Sequence, residues 1–185
     1  MSASRPNPVA PPDAALIDDL VYANRILFDQ GIVDAFGHVS VRHDKDPNKF
    51  LLARNMAPGT VTRDDIIEFS LDGVPIDGGG RAVYLERFIH GEIYRSRQDV
   101  HAIVHSHSPT VLPFSVVKNV PLRPLCHMSG FLGKETPVFE IREVAGEATY
   151  LSEKEADAAC RNIETQIERP WALWKKRVQD DIQRR

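Results

Sequence analysis

Cysteine and net charge are both in short supply in this chain. Its 185 residues include two cysteines, Cys126 and Cys160, and neither lies in a CxxC pair. That excludes a disulfide framework and leads to the expectation of a reduced, cytoplasmic setting. The formal net charge is −3, with no long block of like charge. Nucleic acid and acidic membrane surfaces are therefore poor candidates for the main partner. The basic cluster Lys175-Lys176-Arg177 stands beside acidic residues and reads as a solvated face. Residues 1–12 are rich in Pro, Ser and Asn and contain no apolar run, which excludes a signal peptide or membrane anchor there. We expect a disordered arm over 1–13, one domain over 14–150 and a C-terminal helical tail of the same domain over 151–185.

What is present is a hydrophobic fraction of 42% arranged in recognisable periods. Leu16, Leu20, Ala23 and Leu27 recur at helical spacing between Ala14 and Gln30, and Gly31 supplies the stop. Gly37 to Arg42 alternates as a half-buried strand, with Phe50-Leu51-Leu52 returning beside it. Thr62 reads as a helix cap. Ile66 to Leu71 is an expected strand closed by the turn Asp72-Gly73. Gly78-Gly79-Gly80 is either a surface loop or a phosphate cradle, and no strand-then-helix signature surrounds it. Val83 to Arg97 is an expected helix with Leu85, Phe88, Ile89 and Ile93 on one side. Val100 to Val104 is a β-prone run leading into His105-Ser106-His107. Ser152 and Glu155 form a capping box for a last helix that Pro170 would end.

The sharpest chemical signal is His105-Ser106-His107. Alternate residues of a strand point the same way, about 6.6 Å apart at the backbone. Two imidazoles so placed can converge on one metal ion, or can be two polar residues at a strand end. Glu86, on the helix that precedes this strand, is a candidate ligand or acid/base, and His90 stands one turn further on. His38, Ser40 and Arg42 share one parity on their strand and form a second polar set. The loop Arg54-Asn55-Met56-Ala57-Pro58-Gly59 adds a guanidinium suited to a carboxylate.

Taken together these segments resemble the class II aldolase/adducin family. Asp34 to Ser40 is similar to its Gly-Asn-x-Ser strand, with His38 in place of the Asn. Glu86-x-x-x-His90 is similar to its catalytic-glutamate helix, and Val104 to Pro109 to its metal-binding His-x-His strand. Gly37 to Ser40, Glu86 to His90 and Pro124 to Gly133 resemble the decarboxylase branch, which includes 3-hydroxy-2-methylpyridine-4,5-dicarboxylate decarboxylase. The resemblance implies a three-layer α/β/α domain with a mixed, largely antiparallel central sheet, and a homo-oligomer, commonly a tetramer. It implies a metal-dependent carbon–carbon lyase acting on a small carboxylated substrate through a metal-stabilised enolate. His105 and His107 would bind one divalent ion (Zn, Mn, Fe or Co), with Glu86 catalytic. His38, Ser40, Arg54 and Asn55 would bind substrate, and His90 would support them from behind.

One departure from the pattern is physical. The family's third histidine ligand lies a few dozen residues past the first pair, yet no histidine follows His127 here. Gly146-Glu147-Ala148-Thr149 and the segment from Tyr150 resemble parts of the family that are normally further apart. The resemblance thus implies an internal deletion near 149–151 and an incomplete C-terminal part. A skipped exon, a mispredicted gene model or a decayed paralogue would each produce it. His127 is a candidate substitute ligand, or else a loop histidine. The alternative function is a non-catalytic oligomerisation or binding module, as in the adducin branch.

Overall fold

A computed structural model of the chain describes residues 10–117, 119–132, 136 and 168–183. The chain forms two compact units, one of Met1–Ser106 with Arg169–Arg185 and one of His107–Glu168.

The first unit opens with α1, Ala14–Asp29, whose buried face carries Leu20, Val21 and Asn24. Gly31, at φ 68°, reverses the chain after it, a conformation that costs glycine little. Four antiparallel strands follow: β1 (His38–Arg42), β2 (Lys49–Ala53), β3 (Ile66–Ser70) and β4 (Ala102–His105). Their spatial order is β3-β2-β1-β4. Period-two alternation fixes which side chains share a face. His38 of β1 thereby pairs with His105 of β4, and Ser40 with Leu52 of β2. The core gathers Leu20, Val39, Phe50, Leu52, Ile67, Phe69, Tyr84 and Tyr94 between the sheet and the helices. The turn after β3 places Gly73 at φ 71° and bonds the Ser70 N–H to the Val74 carbonyl at 3.0 Å.

Thr62, expected to cap a helix, caps only a short 3-10 turn, Arg63–Asp65, through reciprocal bonds with Asp65. The second helix also differs from expectation. α2 spans Arg87–Ser96, so Val83, Tyr84 and Leu85 precede it and Glu86 is its N-cap. Its buried residues are His90, Gly91 and Tyr94, while Leu85 (71% exposed), Phe88 and Ile89 face outward. Two forces set this rotation. His90 and Tyr94 find hydrogen-bond partners on β1. Gly91 meets the backbone of Leu71 so closely that a Cβ there would stand 2.2 Å from the Leu71 carbonyl oxygen. An apolar stripe at that interface would have left the polar atoms of β1 unsatisfied, at a higher cost than exposing Phe88 and Ile89.

The last described helix, α4, spans Glu168–Gln183, and its Leu173 packs with Ala35, Ala57, Phe28 and Phe36. Pro170 sits in the first turn of α4 rather than ending a helix, a position where its missing N–H costs nothing. The expected helix from Ser152, the deletion junction near 149–151 and most of the expected arm over 1–13 lie outside the described residues. The second unit contributes α3, Leu112–Val116, and a 3-10 turn, His127–Leu132. Among the described residues no helix is long and apolar enough to cross a membrane.

Alanine in place of glycine ordinarily stabilises a helix interior. At Gly91 the sign should reverse. Gly91→Ala is expected to lower unfolding stability by about 1–3 kcal/mol in urea titration, through overpacking against Leu71. A neutral or stabilising result would contradict the packing described for α2.

Candidate active site

His38 stands at the centre of the site because three elements deliver partners to it. Its own strand alternation turns it toward α2, together with Ser40 and Arg42. Its β4 register partner, His105, stacks on it with ring centroids 4.7 Å apart and planes at 12°. α2 then brings His90, whose Nε2 lies 2.9 Å from His38 Nδ1. Tyr84, from the segment leading into α2, packs its ring 4.3 Å from that of His38. The Tyr84 hydroxyl donates to the Met56 carbonyl, which ties this wall to the loop after β2. Glu86 completes the group, with Oε2 3.9 Å from His38 Nε2 and a side chain 43% exposed. The site thus has an interior of imidazoles and phenols and one carboxylate open to solvent.

Behind this group the polar chain continues inward. His90 Nδ1 lies 2.6 Å from Ser40 Oγ, and Ser40 Oγ lies 2.8 Å from the Tyr94 hydroxyl. Burial pushes the His90 imidazole down to about 4, with His105 acting in the same direction, so His90 is neutral at neutral pH. Burial likewise raises the Tyr94 phenol to about 12, despite its bond to Ser40 and the proximity of Arg42. Arg42 holds the far end in place. It donates to the carbonyls of Val100 (3.0 Å), Pro47 (2.7 Å), Tyr94 (2.8 Å) and Arg97 (2.9 Å), and its guanidinium lies 4.7 Å from the Tyr94 ring centroid. A buried cation is tolerable only with such a full set of acceptors, and two of these belong to the C-terminal turn of α2.

The expected substrate loop has a different emphasis. Arg54 Nε donates to Asp65 Oδ1 at 2.7 Å, and Asp65 Oδ2 accepts from the Thr62 N–H and hydroxyl. Burial works against the Asp65 carboxylate, yet these bonds from Thr62 and Arg54 hold it below its ordinary range. Arg54 therefore braces the 3-10 turn with at least one nitrogen. The Asn55 N–H bonds to the Ala82 carbonyl at 2.8 Å, and its buried Oδ1 has no partner among the described residues.

His105 ends β4, so strand alternation does not extend to His107, the first residue of the second unit. His127 begins the 3-10 turn of that unit and is exposed. Among the described residues no three or more His, Cys, Asp or Glu side chains are grouped so as to hold a metal ion. The imidazoles of His105 and His107 are donors of the type a divalent ion takes. Tyr94 and Tyr84 escaped the sequence reading. The available signal for Tyr94 was its position four residues after His90 on one helix face.

Comparison with known proteins places this geometry. Residues 18–176 match the model of the class II aldolase and adducin N-terminal domain. Decarboxylase tropJ of Talaromyces stipitatus is 39% identical over 139 residues, covering 74% of this chain and 50% of that protein. The 3,4-dihydroxyphthalate decarboxylase of Arthrobacter keyseri is 31% identical over 116 residues, covering 57% of this chain and 45% of its own length. The solved L-fuculose 1-phosphate aldolase from Glaciozyma antarctica superposes with a TM-score of 0.57 at 28% identity, over 66% of this chain and 54% of that one. The chain thus spans about half the length of the curated relatives it matches.

A buried histidine with a depressed folded value binds fewer protons than its unfolded form between pH 6.5 and about 4. The stability due to neutral His90 is therefore fully present above pH 6.5 and is lost as pH falls through about 4, on the order of 3 kcal/mol in total. Urea unfolding of wild type and His90→Gln across that window should show the variant with a shallower decline. Parallel pH profiles would remove His90 as the cause.

Proposed function

Because the chain belongs to the class II aldolase and adducin family, we propose that it is a carbon–carbon lyase of the decarboxylase type acting on a small carboxylated substrate. The observation that supports this most directly is the open carboxylate of Glu86 beside the buried His38, which stacks on His105, at the N-terminus of α2. When a carbon–carboxylate bond breaks, carbon dioxide leaves and the electron pair stays on the substrate carbon. That carbon then takes a proton, and Glu86, solvent-accessible and able to reload from water, is the group positioned to deliver it. His38 stands behind that carboxylate, with Nε2 3.9 Å from Glu86 Oε2. Its stack on His105 and its bond to His90 restrict the motion of the ring. The name of one relative, 3,4-dihydroxyphthalate decarboxylase, favours an acidic aromatic substrate of the phthalate type. We further propose a cytoplasmic homo-oligomer. We also propose metal dependence through His105 and His107, and no step above is routed through an ion.

A second reading is favoured by one observation. No histidine follows His127 in the sequence. A non-catalytic binding or oligomerisation module of the same family would need none.

Carbon dioxide release from 3,4-dihydroxyphthalate, measured with and without added Mn or Zn, separates the readings. Turnover is expected for the wild type, with a loss of about 100-fold or more in Glu86→Gln. Equal rates in the two proteins would take Glu86 out of the chemistry. The absence of turnover in the wild type with every metal, across a panel of aromatic and keto acids, would favour the binding module.

A further inference from the structure

The loop after β2 and the segment leading into α2 are joined by bonds at two successive points. The Asn55 N–H donates to the Ala82 carbonyl at 2.8 Å. Two residues further along the same segment, the Tyr84 hydroxyl donates to the Met56 carbonyl, and the Met56 N–H donates back to the Tyr84 oxygen at 3.4 Å. The backbone of Tyr84 is anchored separately. Arg87 donates from Nη1 to the Tyr84 carbonyl at 2.8 Å and from Nε to the Gly73 carbonyl at 2.7 Å. Between these anchors the Tyr84 ring packs on the ring of His38, with centroids 4.3 Å apart and planes tilted by 40°. Tyr84 is 1% exposed, which leaves it almost no surface for a substrate to touch. A buried phenol needs a partner for its hydroxyl, and here the backbone of the loop supplies one.

We propose that Tyr84 is a positioning residue that fixes the loop over residues 54–59 and the ring of His38 relative to one another. The two tasks fall to different atoms. The ring limits how far the His38 imidazole can tilt, and a phenylalanine ring would do the same. The hydroxyl is the part that phenylalanine lacks, and its bonds with Met56 hold the loop. Loops open at lower free energy than the strands they connect, so a tether matters most there. A loop that presents Arg54 and Asn55 to a substrate loses binding geometry with displacements on the order of 1 Å. That the loop meets substrate rests on the function proposed above. The tether itself does not.

Amide hydrogen exchange and ring-proton spectra of the full chain read the tether without substrate. In Tyr84→Phe the Met56 amide is expected to exchange about tenfold faster than in the wild type, while the amides of β1 keep their rates. The ring-proton shifts of His38 should hold in Tyr84→Phe and move in Tyr84→Leu, which removes the aromatic face. With 3,4-dihydroxyphthalate and added Mn or Zn, Tyr84→Phe is expected to raise KM about three- to tenfold with kcat within about twofold of wild type. A merely structural role would instead lower kcat through loss of folded enzyme and leave KM in place. An unchanged Met56 amide in Tyr84→Phe, unmoved His38 signals in Tyr84→Leu, or an unchanged KM in an active Tyr84→Phe enzyme would overturn the proposal. A faster Met56 amide in a chain without lyase activity would uphold the tether and count against the function proposed above.

Discussion

Ser40 carries one hydroxyl, and the arrangement of the first unit depends on that hydroxyl having a partner on each side. It lies fully buried at the middle of β1, where an unsatisfied polar atom would be expensive. The strand cannot supply partners on the side-chain face, so they must come from the helix packed against it. That requirement selects His90 and Tyr94 as the inner face of α2. It then fixes the rotation of the helix, seats Gly91 against Leu71 and turns Phe88 and Ile89 outward. It also carries Glu86, one turn before His90, to the edge of the His38 ring. The placement of the open carboxylate is thus a consequence of a buried hydrogen bond some distance behind it.

Arg42 serves the same constraint from the other end. Its guanidinium reaches carbonyls from the turn before β2, the turn before β4 and the C-terminal end of α2. These bonds complement the helix dipole and hold the segments that would otherwise be free to slide along β1. The sheet register then does the rest, since pairing His38 with His105 is a property of the β1–β4 ladder. A slip of β4 by one residue would turn His105 to the opposite face from His38.

Much of this was legible in the sequence where the signal is periodic. The span of α1, the strand over His38 to Arg42, and the shared parity of His38, Ser40 and Arg42 follow from spacing alone. The membership of the family was legible from Gly37 to Ser40, Glu86 to His90 and His105 to Pro109, and residues 18–176 carry it. What spacing left open is the rotation of α2, since Leu85, Phe88, Ile89 and Ile93 share one side without showing which side meets the sheet. The polar face won because the strand opposite presents polar atoms, and no pattern local to the helix contains that information. Tyr94 was missed for the same reason. The metal donors differ in kind: His105-x-His107 is visible in sequence, but strand alternation stops at His105, so convergence does not follow from the pattern.

The central claim is that Ser40 and Tyr94 act as one unit across the β1–α2 interface. A double-mutant cycle of unfolding free energies for Ser40→Ala, Tyr94→Phe and the pair measures that directly. Groups in one buried network couple, and the account predicts an interaction energy of about 1 kcal/mol or more between them. Effects that add to within about 0.5 kcal/mol would mean that the two hydroxyls are independent, and that something other than this bond sets the position of α2.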